Sequence, residues 1–361
     1  MAQADQNTIT ELTPAGGGIL PCQAIERLIK QDVLKLAQPA IEGQIQPASL
    51  DLRLGATAYR IRASFLPGPA VQVDSKLKQL ALHEIDLSDG AVLEVGCVYL
   101  VPLLESLVLP PTLSAACNPK SSTGRLDVFT RVITDGCRAF DKIEAGYSGP
   151  LYAEICPQTF PVLVRTGSRL SQIRFRQGMI EAMPPSHDGE MESMVSLSVD
   201  LAGDPDTGFI GYRAKRHTGL VDMDKPGALD VLDFWEPIHA RGETQLILDP
   251  DQFYILASKE AVTVPPSHAA EMVPFNPLVG EFRVHYAGFF DPGFGYSKAG
   301  GEGSKAVLEV RSHKVPFILE DGQIIGQLIY ERLTETPDTI YGTGIGSHYQ
   351  AQGLKLSKHF K

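Results

Sequence analysis

Residues 92–111 read VLEVGCVYLVPLLESLVLPP, and residues 246–266 read LILDPDQFYILASKEAVTVPP. Both run from an apolar segment through a turn to an aromatic residue, an apolar pair, a glutamate, an alternating segment and Pro-Pro. One offset of 155 positions carries Pro110 and Pro111 onto Pro265 and Pro266, Tyr99 onto Tyr254 and Glu105 onto Glu260. The same offset carries Pro161 onto Pro316, Gly167 onto Gly322, Gln172 onto Gln327, and Glu154 (in LYAEI) onto Glu309 (in AVLEV). A constant offset over so many landmarks marks a tandem duplication of one domain, not a solenoid of many units.

Within each copy the apolar residues fall into short alternating segments closed by Gly and Pro. Examples are residues 92–95, 98–100, 107–109, 151–155, 161–164 and 170–175, then 246–248, 254–257, 262–264, 307–310 and 325–330. Many short strands at this spacing predict an all-β chain, each copy a barrel or jelly-roll-like sandwich. The 34 glycines and 26 prolines agree, since they favour turns over long helices. One clear helix is expected over residues 25–36, with Ile25, Leu28, Ile29 and Val33 on one face and Pro39 ending it. Residues 1–17 read as a loose tail, 18–178 as the first unit, 179–206 as a polar linker and 207–361 as the second unit.

Composition narrows the function. The net charge is −11, from 32 basic and 43 acidic residues. A nucleic-acid binder needs a basic face, so that role is not expected. No stretch offers about 18 uninterrupted apolar residues, and residues 1–10 lack a basic patch followed by an apolar run. Neither a membrane span nor a secretory signal is therefore expected. Five widely spaced cysteines without a CxxC argue against a zinc-finger-type site and for reduced thiols in a cytoplasm.

Three segments carry chemistry. Lys120-Ser121-Ser122-Thr123-Gly124-Arg125 follows a strand and a Pro-Pro turn. Hydroxyls and backbone amides there suit phosphate oxygens, and Arg125 suits them bidentately. Lys120, Arg125, Arg131, Arg138 and Lys142 make this a locally positive stretch of an acidic chain, as an anionic ligand requires. Glu154 sits inside a strand, on the same face as Tyr152. Burial of such a carboxyl raises its proton affinity and makes it a usable proton shuttle. At the end of the chain, Tyr341-Gly-Thr-Gly-Ile-Gly-Ser347 leads to His348 and Gln352 and a basic tail. A Gly-rich hinge before a basic segment fits a lid over a charged ligand, or a plain flexible terminus.

Together these segments resemble the dCTP deaminase family of the dUTPase-like superfamily. Residues 45–55, IQPASLDLRLG, look like that family's N-terminal IQPASxDLRLG signature. Residues 120–125 look like its RSSxxR triphosphate loop, with Lys120 at the first Arg position. Residues 143–149 look like its IDPGWSG segment, with Glu144 for Asp, Ala145 for Pro and Tyr147 for Trp. Glu154 matches the catalytic glutamate. Tyr341, His348 and Gln352 match nucleotide-contacting positions of the C-terminal lid.

The resemblance implies two tandem dUTPase-like distorted jelly-roll β-barrels with a few short helices, in a homo-oligomer, trimer or dimer. It implies that dCTP and water give dUTP and ammonia without zinc, in service of dTTP supply, with dTTP as a feedback inhibitor. Glu154 would take a proton from the water attacking C4 and pass protons to N3 and the leaving amine. Lys120, Ser121, Ser122 and Arg125 would hold the triphosphate, with Mg²⁺ riding on its phosphates. Asp135 and Gly136 would read the base edge, Arg138 or Lys142 would support Glu154, and Glu144, Tyr147 and Tyr152 would also contact substrate. In the second copy Ser121, Ser122 and Arg125 are replaced by Asn276, Pro277 and Gly280, so that copy reads as a degenerate assembly partner that donates the lid. The alternative is a composite site using Glu309. Two rival functions remain: a bifunctional deaminase and dUTP pyrophosphatase giving dUMP, and a non-catalytic nucleotide-binding regulator.

Overall fold

The computed structural model describes residues 17–178, 194–240, 242, 244–274, 282–284, 288–296, 303–312, 314–342 and 354–361. Of the expected loose tail at residues 1–17, residues 1–16 lie outside them. The chain is almost entirely β, with four short helices among the described residues: α1 (Cys22–Lys30), α2 (Val73–Leu80), α3 (Ser121–Gly124) and α4 (Val231–Phe234). None is long and apolar enough to cross a membrane.

The first unit contains two six-stranded sheets and a smaller pair, Val162–Val164 with Ala91–Leu93. One orders Lys142–Ile143, Leu113–Pro119, Arg169–Gln177, Ser49–Arg53 and Ile45–Gln46, with Gly18–Ile19 added on Arg169–Gln177. The other orders Val128–Thr134, Ser148–Pro157, Val98–Val108, Thr57–Ile61 and Ala81–Asp86, with Leu34–Leu36 on Val98–Val108. The second unit repeats the plan with a four-stranded and a five-stranded sheet.

The duplication survives at the level of single pairs. Leu100 faces Glu154 in the first unit, and Ile255 faces Glu309 in the second. The Tyr99 hydroxyl accepts from Glu94 N at 3.1 Å, and the Tyr254 hydroxyl accepts from Asp249 N at 3.0 Å. The Glu105 carboxylate accepts from Arg53 N at 2.8 Å, and the Glu260 carboxylate accepts from Ser198 N at 2.8 Å. In both copies the glutamate ties down the backbone of the copy's early strand.

That last pair corrects the linker. Met194–Ser198, inside the segment read as linker, is a strand paired with Ile324–Arg332, as Ser49–Arg53 pairs with Arg169–Gln177. The second unit therefore starts upstream of residue 207. The helix is corrected as well. α1 stops at Lys30, Asp32 takes a left-handed conformation at φ 57°, and Leu34–Leu36 leaves as a strand on Val98–Val108. Leu34 and Leu36 fit a strand's alternation as well as a helix face, and the Asp32 turn decides between them.

The units are not separable beads. One core cluster packs Leu126, Phe160 and Val162 of the first unit against Val221, Trp235 and Ile255 of the second and Leu356 and Phe360 of the C-terminus. The Trp235 ring lies edge-on to Phe160 at 5.4 Å and to Phe360 at 6.0 Å. Val221–Asp222 extends the sheet of Val162–Val164 in parallel. Trp235→Ala removes the centre of this shared core and is expected to cost about 3–5 kcal/mol. Calorimetry should show one transition lowered by roughly 5–15 °C. Two transitions, with only one displaced, would mean that the units fold independently.

Candidate active site

The units meet at a cavity of about 280 Å³. Its first wall is the Lys120–Arg125 loop. Leu113–Pro119 delivers the chain to that loop, and Thr123 N and Gly124 N donate to Lys120 O at 2.8 and 3.0 Å, closing α3 as one tight turn. Ser121, Ser122, Lys120 and Arg125 all line the cavity. The buried Asp51 of the 45–55 signature sits behind them, ion-paired to Lys120 and, at 3.3 Å, to Arg169. Asp51, Arg169 and Gln172 also line the cavity, so this wall is cationic around one anchoring carboxylate.

The second wall belongs to the other copy. Phe289, Phe290, Asp291, Phe294, Val307 and Glu309 face the loop. Phe289–Phe290 pairs with His268–Pro274 as Lys142–Ile143 pairs with Leu113–Pro119. Register therefore makes Asp291 the counterpart of Glu144, and Phe294 that of Tyr147. The offset along the next strand makes Val307 the counterpart of Tyr152, and Glu309 that of Glu154.

Glu309 is the chemically distinctive group here. It is buried on the inner strand Ser304–Ser312, and its Oε2 accepts no hydrogen bond among the described residues. Burial pushes its pKa well above the usual glutamate value, Arg125 opposes the rise and Asp127 adds to it. Its carboxylate lies so close to Gly124 that a Cβ there would collide with it. Asp291 is also raised by burial, but Arg174 Nη2 holds its Oδ1 at 3.2 Å. Tyr341 reaches the cavity because Tyr341 N donates to Pro292 O at 2.7 Å and its ring sits 5.8 Å from Phe294.

The site residues expected from sequence thus divide. Lys120, Ser121, Ser122, Arg125 and Tyr341 are brought together. Glu154, Arg138, Asp135, Gly136, Glu144, Tyr147 and Tyr152 are not among the lining residues. Glu154 is buried in an ion pair, its Oε1 accepting from Arg131 Nε at 3.1 Å, and the Arg131 guanidinium is stacked 3.5 Å from the Phe140 ring centre. Asp135 accepts from Val73 N at 2.7 Å and so caps α2, while Gly136 N donates to Val71 O at 3.0 Å. The Tyr147 hydroxyl donates to Pro150 O at 2.6 Å. Tyr152 is pushed up to about 12 by burial and by Asp135. Arg138 and Glu144 are exposed. His348 and Gln352 lie outside the described residues.

Asp51, Arg169, Gln172 and Lys358 are cavity residues that carried no role in the sequence reading. Asp51 lay inside the quoted signature and Gln172 among the repeat landmarks. Nothing in local sequence marked Arg169 or Lys358.

Compared with known proteins, residues 16–179 match the family described as the 2'-deoxycytidine 5'-triphosphate deaminase N-terminal domain, and residues 166–360 match that of its C-terminal domain. A protein of Coprothermobacter proteolyticus named "dCTP deaminase, dUMP-forming" is 32% identical over 161 residues, covering 44% of this chain and 81% of that protein. A "dCTP deaminase" of Halorubrum lacusprofundi is 27% identical over 155 residues, covering 42% and 73%. The crystal structure of 2'-deoxycytidine 5'-triphosphate deaminase from Agrobacterium tumefaciens is 61% identical, with a TM-score of 0.81 over 88% of this chain and 99% of that one.

The contact between Gly124 and Glu309 is directly testable. Gly124→Ala is expected to lower the melting temperature by pushing the Glu309 carboxyl out of place. Adding Glu309→Ala should recover most of that loss, a coupling of about 0.5–3 kcal/mol between the two sites. Additive losses would place Glu309 away from the loop.

Proposed function

The chain belongs to the 2'-deoxycytidine 5'-triphosphate deaminase family and is an enzyme that deaminates dCTP; from that premise we propose that the reaction runs in the cavity between the two units, with Glu309 as its proton-transfer group. The observation that carries this reading is a buried carboxyl, its Oε2 accepting no hydrogen bond among the described residues, that meets the phosphate loop at Gly124 across the unit boundary. Glu154 has the matching sequence position but is engaged by Arg131.

In this reading dCTP enters as its Mg²⁺ complex, the ion carried by the substrate's own phosphates. Lys120, Ser121, Ser122 and Arg125 take the triphosphate, with Arg125 steadied by a 2.8 Å bond from its Nη1 to Lys355 O. The Phe289–Asp291 segment and Val307 form the opposite side, against the base. Ionised Glu309 takes a proton from water as its oxygen adds to C4, and delivers that proton to N3. It then moves the remaining hydroxyl proton to the amine, and the C4–N bond breaks to leave a C4 carbonyl and ammonia. The raised proton affinity of Glu309 suits this traffic, because a carboxyl of ordinary acidity releases a proton readily but recaptures one poorly near neutral pH.

We propose further that the product is dUTP. Hydrolysis onward to dUMP needs an acid free to activate water against phosphorus. The acid of the turn at this cavity, Asp291, is engaged by Arg174. The names of relatives such as the Coprothermobacter protein make dUMP the reading to test against.

Glu309→Gln is expected to lower kcat for ammonia release by about 10²–10⁴-fold while dCTP binding persists. Glu154→Gln should leave kcat within about threefold, although loss of a buried pair lowers its melting temperature. The reverse pattern would return the chemistry to the first copy. Incubation with Mg²⁺ and dCTP should give ammonia and dUTP in equal amounts; dUMP with pyrophosphate would establish the bifunctional reading. Since Glu309 must be ionised to accept the proton, activity should fall on acidification along a limb above the ordinary glutamate pKa of about 4.3. A limb at or below that value would contradict the assignment.

A further inference from the structure

The C-terminal residues Leu354–Lys361 were expected to behave as part of a hinged lid, or as a loose end. They are instead built into the body of the protein, against both units. Leu356 and Phe360 are buried in the core cluster shared by the two units. Ser357 and His359 are buried between them. Ser357 Oγ donates to Ser122 O at 2.7 Å, and His359 Nε2 pairs with Met223 O at 3.0 Å. The main chain is pinned as well, with Gly227 N donating to Lys358 O at 2.9 Å and Lys361 N to Leu229 O at 2.9 Å.

Lys358 stands between Ser357 and His359, and it lines the cavity while they face the protein. Its position is therefore fixed on both sides. It joins Lys120 and Arg125 of the phosphate loop and Arg169 of the strand Arg169–Gln177. The cost of this crowding is visible in the ammonium itself. Burial, Lys120 and Arg169 all push its pKa down, and Asp51 and Asp224 oppose them. Four cations and two serines thus converge on one cavity, with Asp51 ion-paired to Lys120 and Arg169 behind them, and such a convergence of cations and hydroxyls suits a polyanion.

We infer that Lys358 binds the triphosphate of the substrate, as a fourth cation brought to the phosphate loop by the anchored C-terminal segment. This rests on the dCTP reading of the cavity, and it adds a ligand from a segment beyond the lid motif.

The test uses the full-length chain as wild type, Lys358→Met and Lys358→Arg. Two quantities are measured at one ionic strength: kcat and KM for dCTP, and the Kd of inorganic tripolyphosphate by calorimetry. A lost charge-assisted contact to phosphate should raise KM about 10–100-fold in Lys358→Met and weaken tripolyphosphate by a similar factor, with kcat much less affected. Lys358→Arg should recover most of both. Melting temperatures should agree within about 1 °C, because the methionine keeps the aliphatic stem in place.

Unchanged KM and tripolyphosphate Kd in Lys358→Met would overturn the inference. So would a loss of kcat that follows a lowered melting temperature, since that marks a role in holding the segment together. If wild type binds tripolyphosphate through Lys358 yet releases no ammonia from dCTP, the polyanion site stands and the deaminase reading falls. If wild type deaminates dCTP regardless of Lys358, the inference alone falls.

Discussion

Everything at the cavity depends on how closely Glu309 approaches the loop at Gly124. The carboxyl comes from one unit and the phosphate-binding residues from the other. A side chain at position 124 would fill the gap, so the glycine is needed for space. The approach also needs the units to be fixed against each other. The aromatic cluster around Trp235 fixes them from one side, and buried ion pairs such as Arg311 with Asp127 and Arg174 with Asp291 fix them from within. Such pairs contribute less to net stability than their number suggests, but breaking one is costly, and this makes them good determinants of a single docking geometry.

The two copies of the glutamate show how environment assigns a role. Both lie on an inner strand of a sheet, and both are buried opposite an apolar residue of the tyrosine strand. Glu154 meets Arg131, whose guanidinium is stacked on Phe140, so its charge is neutralised inside its own unit. Glu309 instead faces a cavity wall of cations that belong to the neighbouring unit. Its proton affinity is raised by burial; Oε2 of both glutamates accepts no hydrogen bond among the described residues, and the difference is the Arg131 ion pair that holds Glu154. Identical chemistry at the same register thus becomes a structural tie in one copy and the only reactive candidate we assign in the other.

The fold was largely legible in the sequence, because the 155-residue offset reports strand register directly. Register recurs pair by pair, down to the tyrosine hydroxyls that accept from Glu94 N and Asp249 N. The phosphate loop was legible too, since its residues are adjacent in the chain. Which glutamate faces that loop was not, because the two motifs are local while their meeting is a matter of docking. Glu154 was the natural choice from its own copy, and the structure puts its counterpart there. The strand Met194–Ser198 was hidden by polar neighbours and by a spacing that departs from the offset. The C-terminal anchor was hidden because Leu356 and Phe360 are isolated apolar residues in a basic tail, with no periodicity to announce burial.

The covalent link between the two walls has a further consequence. In an assembly of identical chains, a site shared between neighbours comes apart on dilution, and each substitution appears on both sides of every boundary. Here the loop and its facing carboxyl travel on one polypeptide, so their encounter is intramolecular and its effective concentration is set by the tether, of millimolar order for short flexible links. The approach of Glu309 to the loop at Gly124 is therefore made within one chain. Each wall is also encoded separately, so the lining on the Glu309 side can drift toward a new base or sugar without altering the loop that grips the phosphates.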